Sequence, residues 1–422
     1  MQYDPKQKFN MTLKPPAPKR FLLPVEWIGS IFMADPFSAA IKKINCEGLT
    51  PPYLMLATHA SMRDFPMAIR ATFPHRSYWV ISVEEFAGRE WLLRSAGGIG
   101  KRKFTQQLPV VRHIINILKK QKMIVTIYPE ARYSLAGINE KIDGALGKLA
   151  KQCRVPVVVF MQHGNFLNSP QWCKKPTRPV RSEGEMRQIV TREEVETLSA
   201  EEIQKRIEDA FVYDEYAWQR DNHIRIPSRY RAHNIHRILY QCPVCGQEHT
   251  MTSEYTQLWC TACGARWRMD EYGVLDRLDG ENVFTHVPDW YRWERENVNK
   301  EVREGRYHFE DEARLELLVS SFHKFREIGR VHLRHDYDGF TVTGTLDDGT
   351  PFSLNRSPQS MMSCHIEYDF KGRGDAIDLA TNDDSYWVYP LTAKNPLTKL
   401  HFATEALHEL AEEKLHHPEE EK

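Results

Sequence analysis

The chain has 422 residues, 41% of them hydrophobic, enough to bury more than one core, so two or three domains are expected and a disordered chain is excluded. Lysine plus arginine and aspartate plus glutamate both number 57, for a formal charge of zero; no global field draws the chain to nucleic acid, and any such partner has to be argued from local charge. Four of the eight cysteines stand in close pairs, which in a reducing compartment favours metal ligation over disulfides.

Residues 1–33 open the chain with Lys6, Lys8, Lys14, Lys19 and Arg20 against Asp4, and run into the apolar, aromatic stretch Phe21 to Met33. This pattern predicts an interfacial segment. No stretch offers eighteen uninterrupted apolar residues and no secretory signal is evident, so the chain is expected to be cytoplasmic, held peripherally at the inner face of a membrane. Over residues 34–215, the apolar runs YLMLATH, SYWVISV, MIVTIYPE and VPVVVFM alternate with helical patterns such as PVVRHIINILKK. Such alternation predicts an α/β domain. The residues from 180 to 235 read as charged and largely helical, with capping-box spacings at Thr191/Glu194 and Ser199/Glu202; 216–239 is expected as a connector.

A compact unit with paired cysteines is expected at 240–278 and a charged connector at 279–325. Residues 326–416 show short strands (GRVHLRH, GFTVTG, SCHIEYDF, AIDLA, SYWVYPL) broken by DYDG, LDDG and NDDS, followed by one helix with Leu400, Ala403, Leu407, Leu410 and Ala411 on one face. By topology this looks like a small β-barrel of the pleckstrin-homology type.

Three segments of the α/β domain carry chemistry. Thr58 to Pro66 follows an apolar strand, and strand ends are where sites form in such folds. His59 and Asp64 are separated by four residues, which lets a turn bring the carboxylate onto one imidazole nitrogen and leaves the other free to take a proton. The alternative is that Asp64 merely caps the following helix. Tyr128 to Ser134 closes another strand and offers Glu130 and Arg132, the guanidinium fork matching phosphate oxygens and the carboxylate accepting from hydroxyls; the alternative is an ordinary ion pair. Gly97 to Lys103 lies between them as a glycine-rich loop with Lys101, Arg102 and Lys103.

Together these segments resemble the glycerolipid and lysophospholipid acyltransferases, a family marked by a histidine, four residues and an aspartate. A Gly-x-x-x-x-x-Arg loop, a Phe-Pro-Glu-Gly-Thr-Arg element and a proline-containing apolar strand then follow in order. His59 and Asp64 match the first element, Gly97 to Lys103 stands in place of the second, Tyr128-Pro129-Glu130 with Arg132 matches the third, and Val155 to Val158 the fourth. The third element lacks the Gly-Thr pair. The resemblance implies a 1-acylglycerol-3-phosphate acyltransferase-like enzyme of phospholipid biosynthesis or remodelling. His59 would act as base and Asp64 as its orienting partner. Glu130, Arg132 and the Gly97, Lys101, Arg102, Lys103 segment would bind a glycerophospholipid acceptor, with acyl-CoA or acyl carrier protein as donor.

Cys242-Pro-Val-Cys245-Gly and Cys260-Thr-Ala-Cys263-Gly have the spacing of a four-cysteine zinc ribbon. Four thiolates close the coordination shell, so a structural Zn2+ is expected. Rival readings are a ribbon that binds nucleic acid or protein, and a non-catalytic lipid-binding scaffold. The ribbon has few cations beyond Arg266 and Arg268, so no nucleic-acid partner is expected, and an intact His59/Asp64 pair argues for catalysis.

Overall fold

The computed structural model describes residues 8–33, 41–174, 176–320 and 325–416. The first unit is built on seven strands: β1 (Ile41–Ile44), β2 (Leu54–Ala57), β3 (Ser77–Ser82), β4 (Gly98–Lys101), β5 (Ile124–Ile127), β6 (Val157–His163) and β7 (Glu183–Val190), in the order β1-β7-β6-β2-β5-β3-β4. From β6 to β4 the strands are parallel; β7 runs antiparallel to β6 and pairs in parallel with β1.

Strand β2 is buried on both faces, which is why it reads as a continuous apolar run. Leu54 and Leu56 meet Val110, Ile114, Leu146 and Ile203 from three helices on one side. Met55 and Ala57 meet Met67, Ala68 and Ala71 of the Asp64–Thr72 helix on the other.

Two local expectations are corrected here. Gly97 to Lys103 is not a flexible loop, because Gly98–Lys101 is edge strand β4 paired with β3. Its glycines answer to packing: at Gly97 (φ +90°) a Cβ would lie 2.7 Å from Pro18 Cγ and 2.8 Å from Ser77 O. Within the stretch read as largely helical, Glu183–Val190 is a strand; its charged residues alternate with buried Gly184, Met186 and Val190. The cap at Ser199 forms as read, with reciprocal bonds to Glu202.

The paired-cysteine unit is a four-stranded antiparallel sheet of β8 (Met251–Glu254), β9 (Gln257–Cys260), β10 (Arg266–Met269) and β11 (Leu275–Arg277). Residues 279–325 are not merely a connector. They hold a helix at Val287–Arg303 and the strand β12 (Phe309–Leu317), which pairs on both sides within the last sheet. Charged side chains alternate along FEDEARLEL, masking an inner row of Asp311, Ala313 and Leu315.

The last sheet continues with β13 (Arg326–Asp336), β14 (Gly339–Leu346), β15 (Pro351–Arg356), β16 (His365–Glu367), β17 (Ala376–Ala380) and β18 (Ser385–Pro390), in the antiparallel order β15-β14-β13-β12-β18-β17-β16. No ladder among the described residues joins β15 to β16, so pairing does not close the expected barrel, but the sheet curls back on itself: Phe352 of β15 lies 5.3 Å from Tyr386 of β18, and Arg356 at the end of β15 donates to Ala380 O of β17 at 2.6 Å. The helix Leu397–His416 covers one face. A single apolar core runs from Trp267 of the ribbon through Trp290 and Phe402 to Leu315 and Ile377.

Candidate functional site

Beyond Ala57 the chain leaves β2 but stays tied to β6 through the bond from Thr58 N to Phe160 O, 3.1 Å. The next turn folds around Asp64, which is fully buried. One carboxylate oxygen accepts from Ala60 N at 2.5 Å, Ser61 N at 2.8 Å and His59 Nδ1 at 3.1 Å; the other accepts from Asn165 Nδ2 at 2.7 Å. Asp64 is therefore not the cap of its own helix, whose N-cap has no side-chain bond; it organises the loop before it. Because a carboxylate accepts, Nδ1 of His59 carries the proton and Nε2 presents a lone pair.

The imidazole lies between Tyr128 and Tyr133, with ring centroids 4.3 and 4.4 Å away, and remains 22% exposed. The backbone bond from Ser134 N to His59 O, 2.8 Å, joins the β5 loop to this turn. Asn165 is itself held by Ser182 Oγ at 2.7 Å. Neither Asn165 nor Ser182 carried a sequence signal, since both come from the β6–β7 crossover, about a hundred residues beyond the turn.

Glu130 and Arg132 follow β5 as expected, but both are buried. Ala131 between them has φ +56°, a conformation that suits glycine better than alanine. Glu130 accepts from Glu140 N at 2.9 Å and from the Tyr213 hydroxyl at 3.0 Å; burial pushes its carboxyl up to about 8. Arg132 donates to Ser363 Oγ (2.6 Å), His401 Nδ1 (2.8 Å) and Glu405 Oε1 (2.8 Å), and lies 3.2 Å from Glu140 Oε2. Arg295 bridges the same two glutamates. The expectation that this pair grips the acceptor phosphate is therefore corrected: the guanidinium fork is taken up inside the molecule, by residues of the C-terminal unit. Glu140, His401 and Glu405 lie close enough to one another to hold a metal ion. Two guanidiniums already neutralise those carboxylates, which argues against a cation there.

The cations after Gly97 diverge. Burial lowers the pKa of Lys101. Arg102 is turned into the interface with the last sheet, donating to Asn382 O at 3.1 Å and Asp383 O at 2.7 Å. Lys103 is half-buried, and its charge acts on Asp378, His365 and Glu367 of that sheet. A surface cavity of about 460 Å³ is lined by Phe9, Met11, Arg102, Gln107, Leu108 and Asp383; His59 is not part of it.

The cysteines form a separate centre. Cys242 Sγ is 3.7 Å from Cys263 Sγ, and Cys245 Sγ is 3.8 Å from Cys260 Sγ. Four sulfurs tetrahedrally arranged about 2.3 Å from a zinc ion stand about 3.8 Å apart, so the donor set fits such an ion. Gly246 and Gly264, at φ +74° and +81°, close equivalent turns whose amides bond back to Cys242 O and Cys260 O.

A model of the family described as Acyltransferase matches residues 40–161, the span from β1 into β6 that contains the His59 turn and the Glu130 loop. Among solved structures the chain is similar to the 1-acyl-sn-glycerophosphate (LPA) acyltransferase PlsC from Thermotoga maritima, at 18% identity and a TM-score of 0.38, over 46% of this chain and 77% of that one. That likeness is too loose to assign a substrate. No curated protein matches.

Proposed function

With an acyltransferase domain at residues 40–161 as the premise, we propose that the chain moves a fatty acyl group from acyl-CoA or acyl carrier protein to a hydroxyl of a glycerol phosphate or lysophospholipid, with 1-acylglycerol 3-phosphate as the reference acceptor. The observation that carries the reading is the His59 turn, where a buried, fully bonded Asp64 holds Nδ1 and leaves Nε2 accessible. His59 Nε2 takes the acceptor's hydroxyl proton as its oxygen attacks the thioester carbonyl carbon. The tetrahedral adduct collapses with loss of the C–S bond, and the departing thiolate receives the proton from the imidazolium, giving ester and free thiol. Asp64 stabilises that imidazolium. The serines within the matched segments are both buried, Ser61 accepting from Arg63 N and Ser134 donating to Ile138 O, which supports direct transfer over a covalent acyl-enzyme.

We also propose that the four-cysteine centre holds Zn2+. Such an ion would fix the ribbon and take no part in the transfer, since four thiolates leave no open position. No helix among the described residues is long and apolar enough to cross a membrane. The Leu22–Met33 helix instead exposes Val25, Ile28 and Phe32, in line with Phe21, a stripe suited to lying in a lipid surface.

The test is acyl transfer by purified protein across lysophospholipid acceptors and both donor classes. His59→Gln should lower turnover by about 10²-fold or more, and Asp64→Asn should follow, with circular dichroism unchanged. Full activity in a folded His59→Gln protein would remove His59 from the reaction.

A further inference from the structure

Asp64 owes its orientation to a side chain that lies beyond the matched residues 40–161. Three donors meet one of its carboxylate oxygens, while the other accepts from Asn165 Nδ2 at 2.7 Å. A carboxylate held on both oxygens cannot turn about its bond to Cβ, so the Asn165 bond fixes the plane in which the first oxygen faces His59 Nδ1. Asn165 is 1% exposed and is fixed in its turn. Its amide oxygen accepts from Ser182 Oγ at 2.7 Å, which leaves the amide nitrogen facing Asp64.

The peptide that carries Asn165 is held from a different element. Glu215 opens the helix Glu215–Asp221 and is 1% exposed. Its carboxylate accepts from His163 Nδ1 on one oxygen and from Gly164 N on the other, both at 2.7 Å. This repeats the device at Asp64, a buried carboxylate that takes an imidazole Nδ1 and a backbone amide of the same segment; here the imidazole stacks on Trp218, with centroids 5.3 Å apart. Gly164 has φ +85°, and a Cβ there would lie 2.1 Å from Arg181 O, so the segment has little freedom to settle otherwise. The backbone of Glu215 reaches the other side of the site. Glu215 N donates to Gly137 O at 2.7 Å, anchoring the loop in which Ser134 bonds His59 O through its amide and Ile138 O through its hydroxyl, and in which Tyr133 packs on the imidazole.

We infer that Asn165 and Glu215 are positioning residues of the His59 site. Asn165 sets the plane of the Asp64 carboxylate. Glu215 holds both the peptide that presents Asn165 and the loop that presents Tyr133. A glutamate suits this place because it offers two acceptors to two donors, whereas a glutamine would turn an NH2 group onto one of them. Their part in turnover rests on the acyl-transfer reading; their part in orienting His59 rests on the hydrogen bonds alone.

Two measurements on the full-length protein test this: the proton resonance of His59 Nδ1–H, assigned by its loss in His59→Gln, and steady-state acyl transfer. Asn165→Ala removes the donor to Asp64, and Glu215→Gln acts from a residue that bonds neither His59 nor Asp64. Both variants should shift or broaden the resonance. Both should lower kcat about tenfold or more and leave KM within about twofold, because a bound acceptor no longer meets an aligned base. Melting curves identify a variant that is simply unfolded, and should Asn165→Ala be one, Glu215→Gln decides alone. A folded Glu215→Gln protein with an unmoved resonance, even at a lower melting temperature, makes the residue structural and overturns the inference. So does a moved resonance with unchanged kcat. A resonance that moves in both variants, with no transfer by the wild type to any acceptor, keeps the positioning of His59 and overturns the acyl-transfer reading.

Discussion

Asp64 has both oxygens committed to fixed donors, three on one and one on the other, so it cannot turn away from His59 without breaking the loop that carries the histidine. Glu130 is the opposite case. Its carboxyl meets only the Glu140 amide and the Tyr213 hydroxyl, and burial pushes it up to about 8 from an ordinary 4.5. Between those two values the folded protein holds a proton that the unfolded chain releases, so this group removes stability as pH rises through that window. Glu130→Gln has no such proton to lose. Urea midpoints taken from pH 5 to pH 8 should therefore show the variant gaining on the wild type as pH rises. Parallel profiles would mean that Glu130 is ionised throughout.

At the scale of the element, the N-terminal segment divides in two. Phe9 is 7% exposed and stacks edge-on against Phe86, 4.9 Å between centroids, so residues around it belong to the core. Only the Leu22–Met33 helix, pinned to the domain by Trp27 against Phe73, offers an apolar stripe. Ile28→Ser with Phe32→Ser should cut sedimentation with anionic vesicles several-fold and leave the melting curve in place. Unchanged sedimentation would make the helix a packing element. The ribbon is bound into the larger core through Trp267 against Trp290, at 5.0 Å, so metal loss should be felt beyond it. One zinc per chain is expected by elemental analysis, and strong chelation should increase proteolysis within 240–303. A folded protein with far less than one metal per chain would refute the assignment.

At the scale of the whole molecule, the two halves meet over a buried ring in which Arg132 and Arg295 alternate with Glu140 and Glu405. Taking one carboxylate away leaves two guanidiniums facing one, so Glu405→Ala should cost about 3–5 kcal/mol in urea unfolding. A loss below about 1 kcal/mol would show that the ring is not what joins the halves. The same ring marks the limit of what could be read from sequence. The His59/Asp64 turn, the cysteine knuckles, the apolar strands β2, β3, β5 and β6 and the Ser199 cap are each specified within a few neighbouring residues, by spacing, turn chemistry and periodicity, and those features were legible. Arg132 meets Ser363, His401 and Glu405 across 231, 269 and 273 positions, and Asp64 meets Asn165 across 101. Strands β4, β7 and β12 gain their pairing from partners that no local pattern names, and glycine or charge along them masks the strand period. The sequence by itself determined that His59 and Asp64 meet across one turn and that the four thiols come together. Which partners Arg132 and Arg102 take was decided only when the last sheet and its helix docked against the α/β domain, because docking assigns partners by three-dimensional proximity and not by separation along the chain.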